Sequence, residues 1–234
     1  MSKLIIQELH KAFSKNQVLK GIDLDFSNNG IWTILGPNAS GKTTLIKAIL
    51  GMVIPDSGNI SINGETITNN WKYKDKISYL PQIAHFPDNL TVNELLKMIQ
   101  ELRNRTGDLE SLIKEFDLKP FLNTKIENLS GGTKQKLNLS IALMYENPIY
   151  LLDEPTAGLD PIAVINLKKI LRKLKQEGKL IIITTHIIPL VEELTDKIIF
   201  LLEGKIKFCG LKTELQQNYN SKSLEESIAA LLQG

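Results

Sequence analysis

The chain has 234 residues, 42% of them hydrophobic, and a formal net charge of +2 at pH 7. This length and apolar fraction suit one large domain, or a core with a subdomain, and exclude a disordered chain. The small net charge excludes strong electrostatic attraction to nucleic acid or to an anionic membrane. The single cysteine, Cys209, excludes an internal disulfide framework and suits a reducing compartment.

No stretch of the sequence is predicted to enter a membrane. The N-terminal MSKLIIQELHK lacks the apolar run of a secretory signal. The longest apolar runs, near residues 180–183 and 198–202, are far shorter than the ~20 residues that span a bilayer. We therefore expect a cytoplasmic chain that contacts a membrane only through a partner.

Residues 3–9 and 18–26 are predicted to be strands, with Phe13 between them. Phe13 has two interpretations. It is a core residue that closes the first hairpin, or, in a nucleotide-binding protein, an exposed aromatic that stacks on the base. The residues alone favour the core interpretation.

The next segment predicts a strand, a glycine-rich loop and a helix. Residues 31–35 are apolar and of strand length, and the pattern G-x-x-x-x-G-K-[ST] follows directly. Backbone N–H groups of such a loop and the helix N-terminus bind the β-phosphate of a nucleotide. The lysine reaches the β- and γ-phosphates, and the first threonine is placed to bind Mg²⁺. The residues of this nucleoside-triphosphate motif are Gly36, Pro37, Asn38, Ala39, Ser40, Gly41, Lys42, Thr43 and Thr44.

The chain then alternates as a small hairpin over residues 59–68 and predicts a buried strand over 76–80. Gln82 follows that strand, at the end where α/β folds place their ligands. From residue 90 to about 147 the apolar period is helical, and Thr91 with Glu94 fits a capping box. This part is predicted to be a helical subdomain inserted into an α/β core.

A second glycine-rich helix start lies at the end of the helical part. Ser130 is a natural N-cap, followed by Gly131 and Gly132. Glycine in a first helical turn lowers helix stability, but it lets another molecule approach the N–H groups closely. We interpret the segment as a second anion-binding helix terminus. A simple helix cap is the alternative.

Residues 149–152 predict another buried strand, and the acids Asp153 and Glu154 stand at its end. Two adjacent acids there require a cation, because an unpaired buried charge is costly. We expect Asp153 to hold Mg²⁺ and Glu154 to act as general base towards the attacking water. An exposed turn is the alternative interpretation.

Asp160 is predicted to cap a long helix that begins at Pro161 and ends at Gly178. A buried strand over residues 180–185 brings His186 to the sheet edge where Gln82 and Asp153 lie, within reach of a γ-phosphate. A closing hairpin is predicted over residues 197–208, and SLEESIAALLQ forms an amphipathic tail.

Taken in order, these motifs make the chain resemble the ATP-binding-cassette (ABC) ATPase family over essentially its whole length. GPNASGKTT is similar to Walker A, Gln82 to the Q-loop, LSGGT to the signature motif, IYLLDE to Walker B, residues 158–160 to the D-loop and His186 to the switch histidine. The resemblance implies an α/β fold: a P-loop NTPase (RecA-like) core, an N-terminal antiparallel β subdomain and an inserted α-helical subdomain. It implies one domain over residues 1–234, with the core and β subdomain at 1–82 and 148–215, the helical subdomain at about 83–147 and a tail at 216–234.

The resemblance also implies a mechanism that uses ATP and Mg²⁺. Two such domains pair head to tail as a homodimer, and each signature helix caps the γ-phosphate held by the partner's Walker A. Catalysis would then depend on Lys42, Glu154 and His186, and the metal on Thr43, Gln82 and Asp153. Phe13 becomes the adenine-stacking residue. The nucleotide contacts would further include Gln82, Ser130, Gly131, Gly132 and Asp160.

The sequence departs from the family pattern at two positions. Thr133 replaces the usual glutamine of the signature motif, and we expect activity to survive because backbone amides and Ser130 carry the phosphate contact. Ala39 replaces a frequent glycine at a position that the general pattern leaves unspecified. Neither change is expected to prevent ATP binding.

The resemblance leaves two functions open. In the first, the chain is the ATPase subunit of a transporter, peripheral on the inner face of the cell membrane, with a separately encoded permease and no nucleic-acid partner. The ending SLEESIAALL resembles the export-type ABC-2 group, and LSGGTKQKLNLSIAL is most similar to the cassette of copper handling and nitrous-oxide-reductase maturation. In the second, the chain is a soluble ABC ATPase of an assembly complex, such as one for iron–sulfur clusters.

Overall fold

The computed structural model describes residues 3–68 and 70–233, and its strands form two sheets. The first is antiparallel, with the order β2-β1-β4-β5. The second has the order β10-β9-β3-β8-β7-β6. The strands are β1 (Leu4–Phe13), β2 (Asn16–Phe26), β3 (Gly30–Leu35), β4 (Ser57–Ile62), β5 (Glu65–Thr66), β6 (Ile77–Leu80), β7 (Ile149–Asp153), β8 (Leu180–Thr184), β9 (Lys197–Leu202) and β10 (Lys205–Leu211).

The second sheet is parallel except for β10, which pairs antiparallel with β9. Every residue of β3, β7 and β8 is buried. This burial on both faces explains why the three strands are continuous apolar runs instead of alternating ones. Because the strands are parallel, their carboxyl ends meet at one edge of the sheet.

Eight α-helices surround and extend the sheets in the described residues. They are α1 (Lys42–Ile49), α2 (Val92–Arg103), α3 (Leu109–Glu115), α4 (Gly131–Leu143), α5 (Pro161–Gln176), α6 (Ile188–Leu194), α7 (Lys212–Asn218) and α8 (Leu224–Gln233). Among these helices, none combines the length and apolar character that crossing a membrane requires. The fold is the predicted α/β class, with an antiparallel sheet near the N-terminus.

The helical insertion lies between β6 and β7 and has an apolar cluster of its own. Val92, Leu95 and Leu96 of α2 pack there with Leu129 and Leu137. The predicted capping box is present at the start of α2. The Thr91 N–H donates to Glu94 Oε2 at 2.8 Å, and the Glu94 N–H donates to Thr91 Oγ1 at 3.2 Å.

Two predicted boundaries were wrong. The helical part predicted to reach about residue 147 ends earlier, because α4 ends at Leu143 with Met144 as its C-cap. The Met144 carbonyl is bonded to another segment, since it accepts from the Asp108 N–H at 2.9 Å. The first strand extends to Phe13, which pairs with Asn16 across a tight hairpin.

Candidate active site

A cavity of about 470 Å³ lies where β3, β6 and β7 end. It combines the phosphate loop, the two adjacent acids and the turn of the first hairpin, where β1 ends and β2 begins. Its walls are formed by Phe13, Asn16, Val18, Asn38, Ala39, Gly41, Lys42, Thr43, Thr44, Gln82, Asp153 and Glu154. Phe13 is 49% exposed, so the core interpretation of this residue was wrong.

The phosphate loop is shaped by glycine and by one buried lysine. A Cβ at Gly36, where φ is +155°, would lie 2.1 Å from the Leu201 carbonyl oxygen, so only glycine fits. Lys42 is buried, and its Nζ donates to the carbonyls of Gly36 at 2.8 Å and Pro37 at 3.0 Å. Burial lowers the pKa of Lys42, while the nearby carboxylates of Glu154 and Asp153 raise it.

Two further loop residues have unusual surroundings. The Ser40 hydroxyl is buried and has no hydrogen-bond partner among the described residues, which suits a loop built to receive a polar ligand. Ala39 is exposed and has φ +62°, in the left-handed region that favours glycine. The position that the general motif leaves unspecified is thus conformationally restricted here.

Asp153 is almost completely buried and is oriented by two hydroxyl groups. Thr43 Oγ1 donates to Asp153 Oδ2 at 3.0 Å, and the Thr184 hydroxyl donates to Asp153 Oδ1. A hydroxyl beside a carboxylate is a donor set that Mg²⁺ prefers, because Mg²⁺ binds oxygen ligands. These residues therefore fit a magnesium ion.

Glu154 follows β7 in a left-handed conformation, with φ +48°. Its N–H donates to the Thr184 carbonyl at 3.0 Å, which holds the turn against β8. Its Oε1 lies 2.9 Å from Nδ1 of His186, and the His186 side chain is 70% exposed. His186 thus reaches the cavity through Glu154, since it is not itself among the lining residues.

The second glycine-rich helix start lies outside this cavity. Ser130 is exposed and caps α4, and its Oγ accepts from the Thr133 N–H at 3.2 Å. Ser130, Gly131 and Gly132 are all described, and none of them lines the cavity. Asp160 also lies apart from it: the Asp160 carboxylate caps α5 and pairs with Lys136 Nζ at 2.6 Å. The chain therefore has two separate candidate anion-binding regions.

Sequence reasoning missed three residues of this site. Thr184 ends an apolar strand and pairs with Asp153 across the sheet. A polar residue at the end of an apolar strand was a sequence signal that could have identified it as a site residue. Asn16 and Val18 line the cavity because the hairpin register of β1 and β2 places them there. No local sequence pattern marks them.

Comparison with known proteins decides the family. Residues 19–157, more than half of the chain, match the family model described as ABC transporter. The chain belongs to the ABC transporter family. It is 31% identical over 228 residues to the ABC-type transporter ATP-binding protein EcsA of Bacillus subtilis (strain 168), with 95% of this chain and 92% of that protein covered. It is 32% identical over 231 residues to the lipopolysaccharide export system ATP-binding protein LptB of Haemophilus influenzae, with coverages of 95% and 96%.

Solved structures agree with the sequence comparison. An ATP-binding subunit of an ABC transporter superposes with a TM-score of 0.92 at 28% identity, covering 98% of this ABC chain and 99% of the other. A bacterial ABC transporter cassette whose structure is described as dimeric has the same fold, with a TM-score of 0.80 at 24% identity and coverages of 89% and 98%. The chain is an ATP-binding and ATP-hydrolysing subunit of the ABC transporter family. The relatives do not favour the alternative of a soluble assembly-complex ATPase.

Proposed function

We propose that two copies of this chain bind two ATP molecules between them and use hydrolysis to move a substrate, by export, through a separate permease. Each ATP contacts the phosphate loop of one copy and residues 130–132 of the other. The observation that carries this proposal is the separation of the two anion-binding regions within one chain. A single copy therefore offers only part of an ATP site.

Different residues of the site bind different parts of the ATP molecule. Phe13, exposed at the cavity wall, stacks on adenine. Backbone N–H groups of the phosphate loop bind the phosphates, and Lys42 binds the β- and γ-phosphates. In the partner copy, the N-terminus of α4 with Ser130, Gly131 and Gly132 faces the γ-phosphate, with Asp160 beside it.

Thr43, Gln82 and Asp153 would hold Mg²⁺ together with the phosphate oxygens. Within the described part of the chain, no three His, Cys, Asp or Glu residues cluster as a metal site, so the nucleotide itself has to complete the ligand set. When bound, the ion neutralises charge on the phosphates.

Glu154 is the general base of hydrolysis in this proposal. The water oxygen attacks the γ-phosphorus, its proton passes to the Glu154 carboxylate, and ADP leaves with the bond to the γ-phosphorus broken. His186, hydrogen-bonded to Glu154 Oε1, orients that carboxylate. The exposed face of His186 contacts the γ-phosphate once the partner closes the site.

The permease provides the path through the membrane, so this chain acts at the inner face of the cell membrane. The absence of a spanning helix among the described residues fits a separate permease, as do relatives named as ATP-binding proteins of transport systems. Export is supported by the similarity to LptB, which belongs to a lipopolysaccharide export system. Co-expression with a neighbouring permease gene tests this part: the chain should then co-sediment with membranes, and its continued absence from the membrane fraction would contradict the proposal.

The dimer is tested with hydrolysis-deficient chains. We expect the Glu154→Gln variant with magnesium and ATP to have twice the 26.3 kDa chain mass when its mass is measured by light scattering. Adding Ser130→Arg should leave a monomer that still binds a fluorescent ATP analogue, because the change blocks only the partner-facing region. Ser111→Arg, at another exposed serine of the helical insertion, is the matched control and should still dimerise. Monomers in all three variants, or dimers in all three, would contradict the proposed site.

A further inference from the structure

We propose that Lys11 is a positioning residue for the base of the nucleotide. Held by Asp56, its ammonium group covers one face of the Phe13 ring and leaves the other face to the base. This inference rests on the proposed function, because it takes Phe13 as the residue that stacks on adenine. It assigns a role to a side chain that does not itself line the cavity.

The Phe13 ring is held neither by core packing nor by a polar group of its own. Phe13 ends β1, is half-exposed and belongs to none of the apolar clusters formed by the described residues. Phenylalanine lacks the hydroxyl group by which a tyrosine finds a hydrogen-bond partner. A fixed stacking surface at this position therefore requires a neighbouring group that holds the ring from one side.

Lys11 is that neighbouring group. Its Nζ lies 5.4 Å from the centroid of the Phe13 ring, within the roughly 6 Å at which a cation is attracted to an aromatic face. The Lys11 side chain is only 16% exposed, and a cation–π contact is stronger when the cation is shielded from water. A cation and a base cannot occupy the same face of one ring. The base therefore stacks on the face opposite Lys11.

Asp56, in the turn before β4, fixes the position of Lys11. Its Oδ1 accepts from Lys11 Nζ at 2.8 Å, and its Oδ2 accepts from the Ala12 N–H at 2.5 Å. The pKa of Asp56 is held below its usual value mainly by the hydrogen bond from Lys11, and to a smaller extent by the one from the Ala12 N–H. The carboxylate is therefore charged at neutral pH and holds both the cation and the backbone next to Phe13.

Strand pairing alone does not fix the end of β1. The register of β1 against β2 shifts between Lys11 and Ala12, and the pairing of β1 with β4 ends at His10. The Asp56 N–H donates to the His10 carbonyl at 2.9 Å. Together with its two side-chain bonds, Asp56 thus makes three hydrogen bonds to residues 10–12. These bonds position the end of β1, and with it Phe13, at the cavity wall.

The test compares a nucleotide with its base-free counterpart, using isothermal titration calorimetry on the full chain. Lys11→Met should weaken the binding of magnesium ADP by about three- to fivefold, the size of one cation–π contact, and leave the binding of magnesium pyrophosphate unchanged. Lys11→Arg keeps a cation over the ring and should restore most of the ADP affinity. Lys15→Met, at an exposed lysine of the same hairpin turn, is the matched control for lost charge and should change neither affinity.

A double-mutant cycle tests whether Lys11 acts through the ring. Phe13→Ala should weaken ADP binding by about tenfold, the loss of one stacked base. Lys11→Met should then have no further effect in the Phe13→Ala chain, because the group that it positions is gone. If Lys11→Met does not fold, Asp56→Asn decides. Asparagine still accepts from the Ala12 N–H but lacks the charge that holds Lys11, so the same ADP-specific loss is expected.

Three results would overturn the inference. Lys11→Met that binds ADP as Lys15→Met does, while Phe13→Ala is impaired, would show that Lys11 does not position the ring and would leave the proposed function intact. An equal loss of ADP and pyrophosphate binding would show a general effect of charge on the phosphates. Phe13→Ala with wild-type ADP affinity would remove base stacking from the proposed function as well. The dimer test of the proposed function is independent of these results, because ADP binding needs only one copy.

Discussion

At the scale of single residues, Asp153 and Glu154 are neighbours with different surroundings. Asp153 accepts hydrogen bonds from Thr43 and Thr184, so its carboxylate is fully oriented. Glu154 makes its side-chain contact with His186, whose ring is largely exposed. The first acid is thus suited to a fixed ligand role and the second to proton transfer.

We expect Glu154→Gln to bind ATP like the wild type and to hydrolyse it ~10²–10⁴-fold more slowly, because the amide cannot accept the proton of the attacking water. Phosphate release under single-turnover conditions measures the rate, and a fluorescent ATP analogue measures binding. Normal turnover in this variant would remove Glu154 from the role of base.

The backbone at Ala39 supplies a second prediction. Because φ there is +62°, Ala39→Gly should stabilise the chain by about 0.5–1 kcal/mol, the relieved strain exceeding the entropy gained by the unfolded chain. Urea unfolding measures this difference. Ala157→Gly, at an exposed alanine without positive φ, should destabilise by a similar amount. Destabilisation by both changes would contradict strain at Ala39.

At the scale of elements, the capping box decides where the helical insertion begins. The Thr91 hydroxyl accepts from the Glu94 N–H and donates to Glu94 Oε2 at 2.8 Å. The pKa of Glu94 is held below its usual value mainly by the hydrogen bond from the backbone N–H of Thr91, and to a smaller extent by the one from the Thr91 hydroxyl. Local sequence thus determines this boundary, since both partners lie within one helical turn.

We expect Thr91→Ala to destabilise the chain by about 1 kcal/mol near neutral pH, measured by urea unfolding. Because folding lowers the pKa of Glu94, the ionised form is favoured in the folded chain. The stability that ionised Glu94 gives the folded chain is fully present above the pKa that Glu94 has in the unfolded chain. It is lost as the pH falls through the lower pKa that Glu94 has in the folded chain. The difference between wild type and variant should therefore shrink below about pH 4. Gln100→Ala on the same helix should change stability little, and a pH-independent difference would contradict the role of Glu94.

At the scale of the whole molecule, the C-terminal segment belongs to the core of the second sheet. Leu224, Ile228 and Leu231 of α8 are buried against residues of β3, α6 and β9. The pattern of SLEESIAALLQ predicted an amphipathic tail, which has one apolar face. Which surface that face covers was decided only when the chain folded.

Leu224→Ala should therefore lower the free energy of unfolding by about 2–5 kcal/mol, the range for truncating a buried leucine. Leu232→Ala is the matched control, because Leu232 lies on the same helix and is 49% exposed, so its loss should cost little. Denaturant unfolding of both variants measures the difference. Equal effects would mean that α8 does not unfold together with the sheet.

Much of the fold and of the candidate site could be predicted from the sequence. The phosphate loop, the capped starts of α2, α4 and α5 and the buried strands follow from local patterns, because neighbouring residues supply the hydrogen bonds or the burial period. The chain order of the motifs was enough to predict the family. Predicted roles for the individual site residues remain predictions.

Only the tertiary structure decided the contacts between residues that are distant in the chain. The pairing of Thr184 with Asp153, of His186 with Glu154 and of Asn138 with Pro81 each joins separate elements. Strand register, the end of α4 and the exposure of Phe13 were decided in the same way. The physical reason is that packing and hydrogen bonding between elements depend on how the sheets and helices are arranged in space, which no local period of the sequence specifies.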